Sequence, residues 1–264
     1  ECSGMVMTAW SPVTERGRQR FLSAIEEVGP IYSRAEALKP EQVPEATGQR
    51  ARHVTKVTMS PAAAMDDPIV APNRLHQPLE NVPYLLPPDV YVRNWTVLGP
   101  MPFDPNSYAG AEARAVIDDG SFAGNAEGAL TAGHAGDKAF GATWQRYAPP
   151  AGSRFPQMID LSAAYGGQDY ALAYAVAHVY SESEVTGYRI YLGSDDYVKV
   201  WLNGRVLHTW AEGSRGVLQD DDRIEGIALR KGWNKIVVKC VNLKATWGFI
   251  LRIADAEDRP LVTE

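Results

Sequence analysis

From Gln168 to Asp255 the apolar positions recur at every second residue, the spacing of β-strands. Tyr170, Leu172, Tyr174, Val176, His178 and Tyr180 occupy one face of the first such run, and Ala171, Ala173, Ala175, Ala177 and Val179 the other. Apolar character on both faces predicts a central strand, with another layer packed close over the alanines. Tyr188, Ile190 and Leu192 alternate next, then Val198, Val200 and Leu202. Asn203-Gly204 follows, a dipeptide that tolerates positive φ at both positions and predicts a tight hairpin returning through Arg205–Trp210. Ile224–Leu229, a turn at Lys231-Gly232, Asn234–Asn242 and the alternation Trp247, Phe249, Leu251, Ile253 complete the series. An earlier run, Val92 to Leu98, ends at Gly99-Pro100. Short strands joined by turn dipeptides, with no long helix between them, predict a mainly β chain built as an antiparallel sandwich.

The first 88 residues follow another pattern. Phe21, Leu22, Ile25 and Val28 form one helical stripe that stops at Gly29-Pro30, and Ser33 with Glu36 has the spacing of a capping box for a second short helix ending at Pro40. Fourteen of the 18 prolines fall in residues 1–105, ten of them from Pro61 to Pro105, so residues 60–105 are predicted to run mostly as irregular chain. The organisation is therefore an N-terminal arm over 1–88, two short helices and a proline-rich strap, followed by the sandwich over 89–264. Within the sandwich, residues 106–141 are rich in glycine (Gly120, Gly124, Gly128, Gly133, Gly136 and Gly141 among them) and show little periodicity, which predicts a long flexible loop.

Composition narrows the function. Lys and Arg number 26 against 32 Asp and Glu, a net charge of −6, which gives no electrostatic footprint for duplex nucleic acid or an anionic membrane. No apolar run is long enough to span a bilayer as a helix. Two cysteines, Cys2 and Cys240, exclude a disulfide framework and a cysteine-rich metal site. Cys240 shares the phase of Ile236 and Val238 and reads as a buried thiol; Cys2 is left open between a disulfide to Cys240 and a link to a lipid or a partner chain. The five histidines have no metal-ligand spacing, and His178, on a central strand, reads as a hydrogen-bonded core residue. No nucleophile elbow, Walker loop, dinucleotide fingerprint or zinc-protease motif is present, so a non-catalytic chain is expected. Asn94-Trp95-Thr96 matches a glycosylation sequon but falls in a predicted strand.

Four segments in order, Trp95-Thr-Val-Leu-Gly-Pro-Met-Pro102, Gly193-Ser-Asp-Asp-Tyr-Val-Lys-Val-Trp-Leu-Asn-Gly204, Leu229-Arg-Lys-Gly-Trp-Asn-Lys-Ile-Val-Val-Lys239 and Trp247-Gly-Phe-Ile-Leu-Arg252, resemble galactose-binding-like jelly-roll sandwiches, which serve as accessory modules of bacterial extracellular proteins. The second segment is also similar to the protective-antigen-type sandwich of toxins, glycosidases and yeast adhesins. The resemblance covers about residues 90–256 and implies a jelly roll of roughly eight strands in an extracytoplasmic (periplasmic, secreted or cell-surface) protein. In the adhesin branch an adjacent Asp pair holds calcium, which in turn holds sugar hydroxyls; the matching residues are Asp195 and Asp196.

The candidate chemistry concentrates at one end of the predicted sandwich. Asp195-Asp196 offers two hard oxygen donors, read either as Ca²⁺ ligands or as turn-capping carboxylates. Asp220-Asp221-Asp222 is read either as a solvated turn or as the source of a further ligand, Asp221. Trp144, Trp201 and Trp210 are read either as core plugs or as platforms for the apolar faces of sugars. With the 106–141 segment and the stretch from Trp210 to Asp222, these residues give the expected site: a glycan-binding rim using Asp195, Asp196, Trp210, Trp144 and Trp201. The second expectation is an accessory subunit of a larger protein assembly, its N-terminal arm wrapped around a partner.

Overall fold

Alternation is realised as two packed sheets. The computed structural model describes residues 53–61, 67, 69–83, 85–104, 116–117 and 124–264, with backbone alone at 124–126. Both predicted helices and Cys2 lie outside the described residues, as does much of the glycine-rich segment. The strands are β1 His53–Lys56, β2 Pro72–Pro78, β3 Thr96–Pro102, β4 Lys138–Ala139, β5 Ala142–Arg146, β6 Ile159–Asp160, β7 Ala171–Ser181, β8 Val185–Asp195, β9 Tyr197–Leu202, β10 Arg205–Trp210, β11 Asp222–Leu229, β12 Gly232–Asn242, β13 Gly248–Ala254 and β14 Leu261–Thr263. A short helix, α1 Leu161–Tyr165, is capped by Asp160, whose carboxylate accepts the Ala163 N–H. No helix among the described residues is long and apolar enough to cross a membrane.

The smaller sheet runs β1-β11-β8-β13-β6, and the larger β10-β9-β12-β7-β3-β5-β4, with β2 paired to both β7 and β14. Pairing is antiparallel except where β1 meets β11 and β2 meets β7. Gly48–Glu264 forms one compact unit.

The alanine face of β7 turns inward, where Ala171, Ala173, Ala175 and Ala177 leave room for Trp95, Trp247 and Phe249 in the main core between the sheets. Trp95 and Phe249 meet edge to face at 5.0 Å, and Trp95 Nε1 donates to Val92 O at 2.7 Å. Small residues on one strand thus accommodate large rings, those of Trp247 and Phe249 from the facing sheet, the layer expected over the alanines. The opposite face of β7, with Leu172, Tyr174 and Val176, joins Trp144, Trp201, Val237 and Val241 in a second core on the outside of the larger sheet. Asn203 and Gly204 take φ of 50° and 83°, and the β9–β10 hairpin closes on them as predicted. His178 is fully buried, its Nδ1 2.7 Å from Val70 O, and Cys240 is a buried free thiol.

Three expectations need correction. The arm expected over 1–88 supplies β1, and its proline-rich part β2: His53, Thr55, Val57 and Met59 are less exposed than Val54, Lys56, Thr58 and Ser60, and β2 carries its prolines at its two ends. Gly99-Pro100 does not end β3; a register shift between Leu98 and Met101 absorbs the missing N–H donor and the strand continues. Asp220-Asp221-Asp222 is no solvated turn, since all three side chains are buried. Arg252 takes Asp220 in a two-pronged pair at 2.8 and 2.7 Å, and Arg215 takes Asp221 and Asp222.

Candidate functional site

The last residue of β8 and the first after it form a two-carboxylate corner in which the partners have opposite surroundings. The peptide between Asp195 and Asp196 is cis. Asp196 is buried and bonded on both oxygens: Oδ1 accepts from Ser214 Oγ and, at 3.1 Å, from the Arg215 N–H, while Oδ2 accepts from the Leu243 N–H at 2.8 Å. Its own N–H donates to Val241 O at 3.0 Å. One carboxylate therefore ties the β8–β9 corner to the loop after β10 and to the β12–β13 loop. Asp195 stays half-buried at the rim, where Oδ2 accepts from Thr246 Oγ1 at 3.3 Å. Burial, and then the neighbouring Asp196 carboxylate, push the Asp195 carboxyl up to about 7.

The loop after β10 brings in a residue that sequence reasoning missed. Arg215 reaches between the sheets, its Nη1 donating to Asp222 Oδ1 at 2.9 Å and its Nη2 to Ser194 Oγ at 2.7 Å, and the second nitrogen also engages Asp222 Oδ2. The guanidinium sits 4.6 Å over the Trp210 ring, which also stacks with His53 at 4.0 Å. His208 Nε2 lies 3.3 Å from Asp222 Oδ2, and Thr55 Oγ1 lies 2.9 Å from His208 Nδ1. The Arg215 and His208 contacts hold the Asp222 carboxyl below the usual carboxylate range against the opposing effect of its burial. The available signal was the triplet itself: three adjacent carboxylates entering a strand require cations, and Arg215 and Arg252 supply them.

The candidates separate accordingly. Asp195, Asp196, Trp210 and Asp221 come to one end of the sandwich, but Trp210 is occupied by His53 and Arg215, and Asp221 by Arg215. Trp144 and Trp201 do not reach the rim; both are buried on the outer face of the larger sheet. Part of the segment read as a flexible loop covers them. A Cβ on Gly133 would lie 2.4 Å from Trp144 Cδ1, and one on Gly128 would lie 2.6 Å from Trp201 Cδ1, so only glycine lets the chain lie this close to the rings. Lys239, buried on β12, pins the cover by donating to Glu127 Oε1 at 2.8 Å and to Ile117 O at 3.3 Å, and Tyr174 donates to the same Glu127 oxygen.

The donor set does not fit a calcium ion held by Asp195, Asp196 and Asp221. Both Asp196 oxygens are taken by N–H and O–H donors, Asp221 faces a guanidinium, and no three His, Cys, Asp or Glu side chains converge as metal ligands among the described residues.

No known protein family matches this chain, and no curated protein does. Solved structures give distant similarities. The A domain of epithelial adhesin 9 from Candida glabrata, in complex with Galβ1-4GlcNAc, is 9% identical with a TM-score of 0.37, over 67% of this chain and 88% of that one. A family 35 carbohydrate-binding module from Clostridium thermocellum is 15% identical with a TM-score of 0.23, over 38% of this chain and 89% of that one. A β-glucosidase from Kluyveromyces marxianus is 14% identical with a TM-score of 0.30; the match covers 38% of this chain and only 13% of the enzyme's length.

Proposed function

We propose that this chain is a non-catalytic carbohydrate-binding module whose ligand sits at the rim beside Asp195. One observation carries the reading. Asp195 stands half-buried at the rim beside a carboxylate, Asp196, whose two oxygens are already taken by other donors, and it accepts from the Thr246 hydroxyl. A carboxyl raised to about 7 has no cation holding it down, and near neutral pH it both accepts and donates hydrogen bonds. That suits hydroxyl-rich, uncharged ligands better than a metal ion. The exposed Lys244, two residues before Thr246, lies 5.7 Å from the half-buried Tyr170 ring, and the Tyr170 N–H donates to Leu243 O on the same loop as Lys244. The reading carries an extracytoplasmic location with it, as glycans of cell surfaces and matrices lie there. The partner-wrapping reading keeps only residues 1–52, since 53–56 and 72–78 pair within the sandwich.

Titration of neutral oligosaccharides selected on a glycan array tests this. Asp195→Asn is expected to weaken binding about tenfold or more, the cost of a hydrogen bond to a charged or charge-sharing group. Excess EDTA is expected to leave wild-type affinity unchanged. Equal affinity of the variant, binding abolished by EDTA, or no glycan bound at all would overturn the reading.

A further inference from the structure

β8 runs the length of the sandwich. Asp195 ends it at the rim, and Val185 begins it beside a groove of about 180 Å³ at the opposite end. Ten residue steps separate these two positions, roughly 33 Å at strand spacing.

The groove arises from a divergence of strands. β2 pairs with β7 only through Pro72, Asn73 and Arg74, opposite His178, Val179 and Tyr180. From Leu75 onward β2 turns to β14, with Leu75 opposite Thr263 and Pro78 opposite Leu261. β7 meanwhile ends at Ser181, whose hydroxyl donates to Ser183 O at 2.7 Å and closes the turn into β8. The space left between the parting chains has an apolar floor of Leu75, Val185 and Tyr188 at the edge of the main core, and a polar border of His76, Gln77 and Glu182. Burial, and then Asp255 and Glu257, push the Tyr188 phenol up, so it stays a neutral hydroxyl.

We propose that this groove binds a single terminal pyranose of a neutral glycan, a second sugar site separate from the rim. The chemistry is that of an amphipathic ring. A floor of aliphatic carbon and one tyrosine ring matches the C–H face of a pyranose, and amide, imidazole and carboxylate groups from the two parting chains match its hydroxyls. The volume suits one ring, being below the range of pockets for drug-sized ligands, about 300–1,000 Å³. Charge argues against an anionic sugar: Glu182 borders the groove, and His76 Nε2 lies 3.3 Å from Glu264 Oε2, a second carboxylate at its edge. Two such sites on one rigid sandwich would let a single chain bridge two glycan strands.

The proposal stands independently of the rim, because the two sites share no residue. Methyl glycosides of neutral hexoses, titrated into the isotope-labelled full chain, are expected to shift the amide signals of His76, Gln77 and Glu182–Val185. Gln77→Ala combined with Glu182→Ala is expected to weaken that binding about tenfold, two hydrogen bonds' worth, with no change in melting temperature. Ser183→Trp, at an exposed turn position, is expected to fill the groove and abolish the shifts should the double variant fold poorly. Asp195→Asn is expected to leave them intact. Shifts confined to the rim, shifts at the groove only with acidic or amino sugars, or wild-type binding in both groove variants would overturn it; groove binding that survives with no effect of Asp195→Asn on any glycan would instead overturn the rim reading alone.

Discussion

The rim at Asp195 and the outer face of the larger sheet both carry residue types suited to sugar, yet they end differently. On the sheet face, Trp144 and Trp201 lie under Gly133 and Gly128, and the neighbouring Lys239 is spent on Glu127. At the rim, Asp196 is spent in the same manner, but its bonds leave Asp195 at the surface. What separates a binding surface from a core is therefore whether the chain's own backbone has already taken the surface. Glycine backbone presents flat C–H groups to an indole as a pyranose does, so tryptophans near glycine-rich segments are candidates for burial as much as for recognition.

The largest expected effect concerns the pair on which the rim is built. Arg215→Ala leaves Asp222, fully buried, and Asp221 without their guanidinium. Removing one member of a buried ion pair costs about 3–5 kcal/mol. For a domain of this size that is a fall of roughly 10 °C in melting temperature by calorimetry. A loss below about 1 kcal/mol, the value of an exposed pair, would mean that water reaches Asp222 and that the rim is not organised around Arg215. The sheet face offers a smaller and contrasting test. Gly133→Val drives a branched side chain into the Trp144 ring, an overpacking cost of about 1–3 kcal/mol in urea unfolding. Rim binding is expected to survive it. A variant as stable as wild type, or one that gains glycan binding, would show the face to be open rather than sealed.

Where the sequence was legible, local chemistry and tertiary demand agreed. Asn203-Gly204 closes its hairpin because both residues tolerate the φ that the turn needs, and the Tyr/Ala alternation of β7 named both of its buried faces. The central position of β7, between β12 and β3, follows from that double burial. Contacts made across the chain were illegible. Gly128 and Gly133 read as loop residues because a glycine records nothing of the ring it rests on. Arg215 stood in an aperiodic stretch, and its partners come from β8, β10 and the start of β11. Asp195 and Asp196 could be placed at a strand end, but not ranked, because the donors that saturate Asp196 are two backbone N–H groups and a serine hydroxyl from distant loops. Backbone donors have no sequence signature.

The smallest expected effect separates the two aspartates most finely. The folded-state pKa of Asp195, about 7, lies above the ordinary aspartate value of 3.8. Between those two pH values the folded chain holds a proton that the unfolded chain has released, so the contribution of this carboxyl to stability falls as pH rises from about 4 to 7 and is constant above. Because Asp195 is half-exposed, solvent screening reduces the full linkage value to about 1 kcal/mol. Asp195→Asn removes the titration while keeping the shape. The variant is therefore expected to match wild type in unfolding free energy from urea titration at pH 4 and to exceed it by about 1 kcal/mol, with a higher midpoint, at pH 7.5. Asp196→Asn should do the reverse of stabilise at every pH, because an amide puts its own N–H₂ where an N–H already points. Equal midpoints for Asp195→Asn and wild type at pH 7.5 would mean that Asp195 already ionises freely in the folded chain, and the contrast between a spent and an available carboxylate would then rest on Asp196 alone.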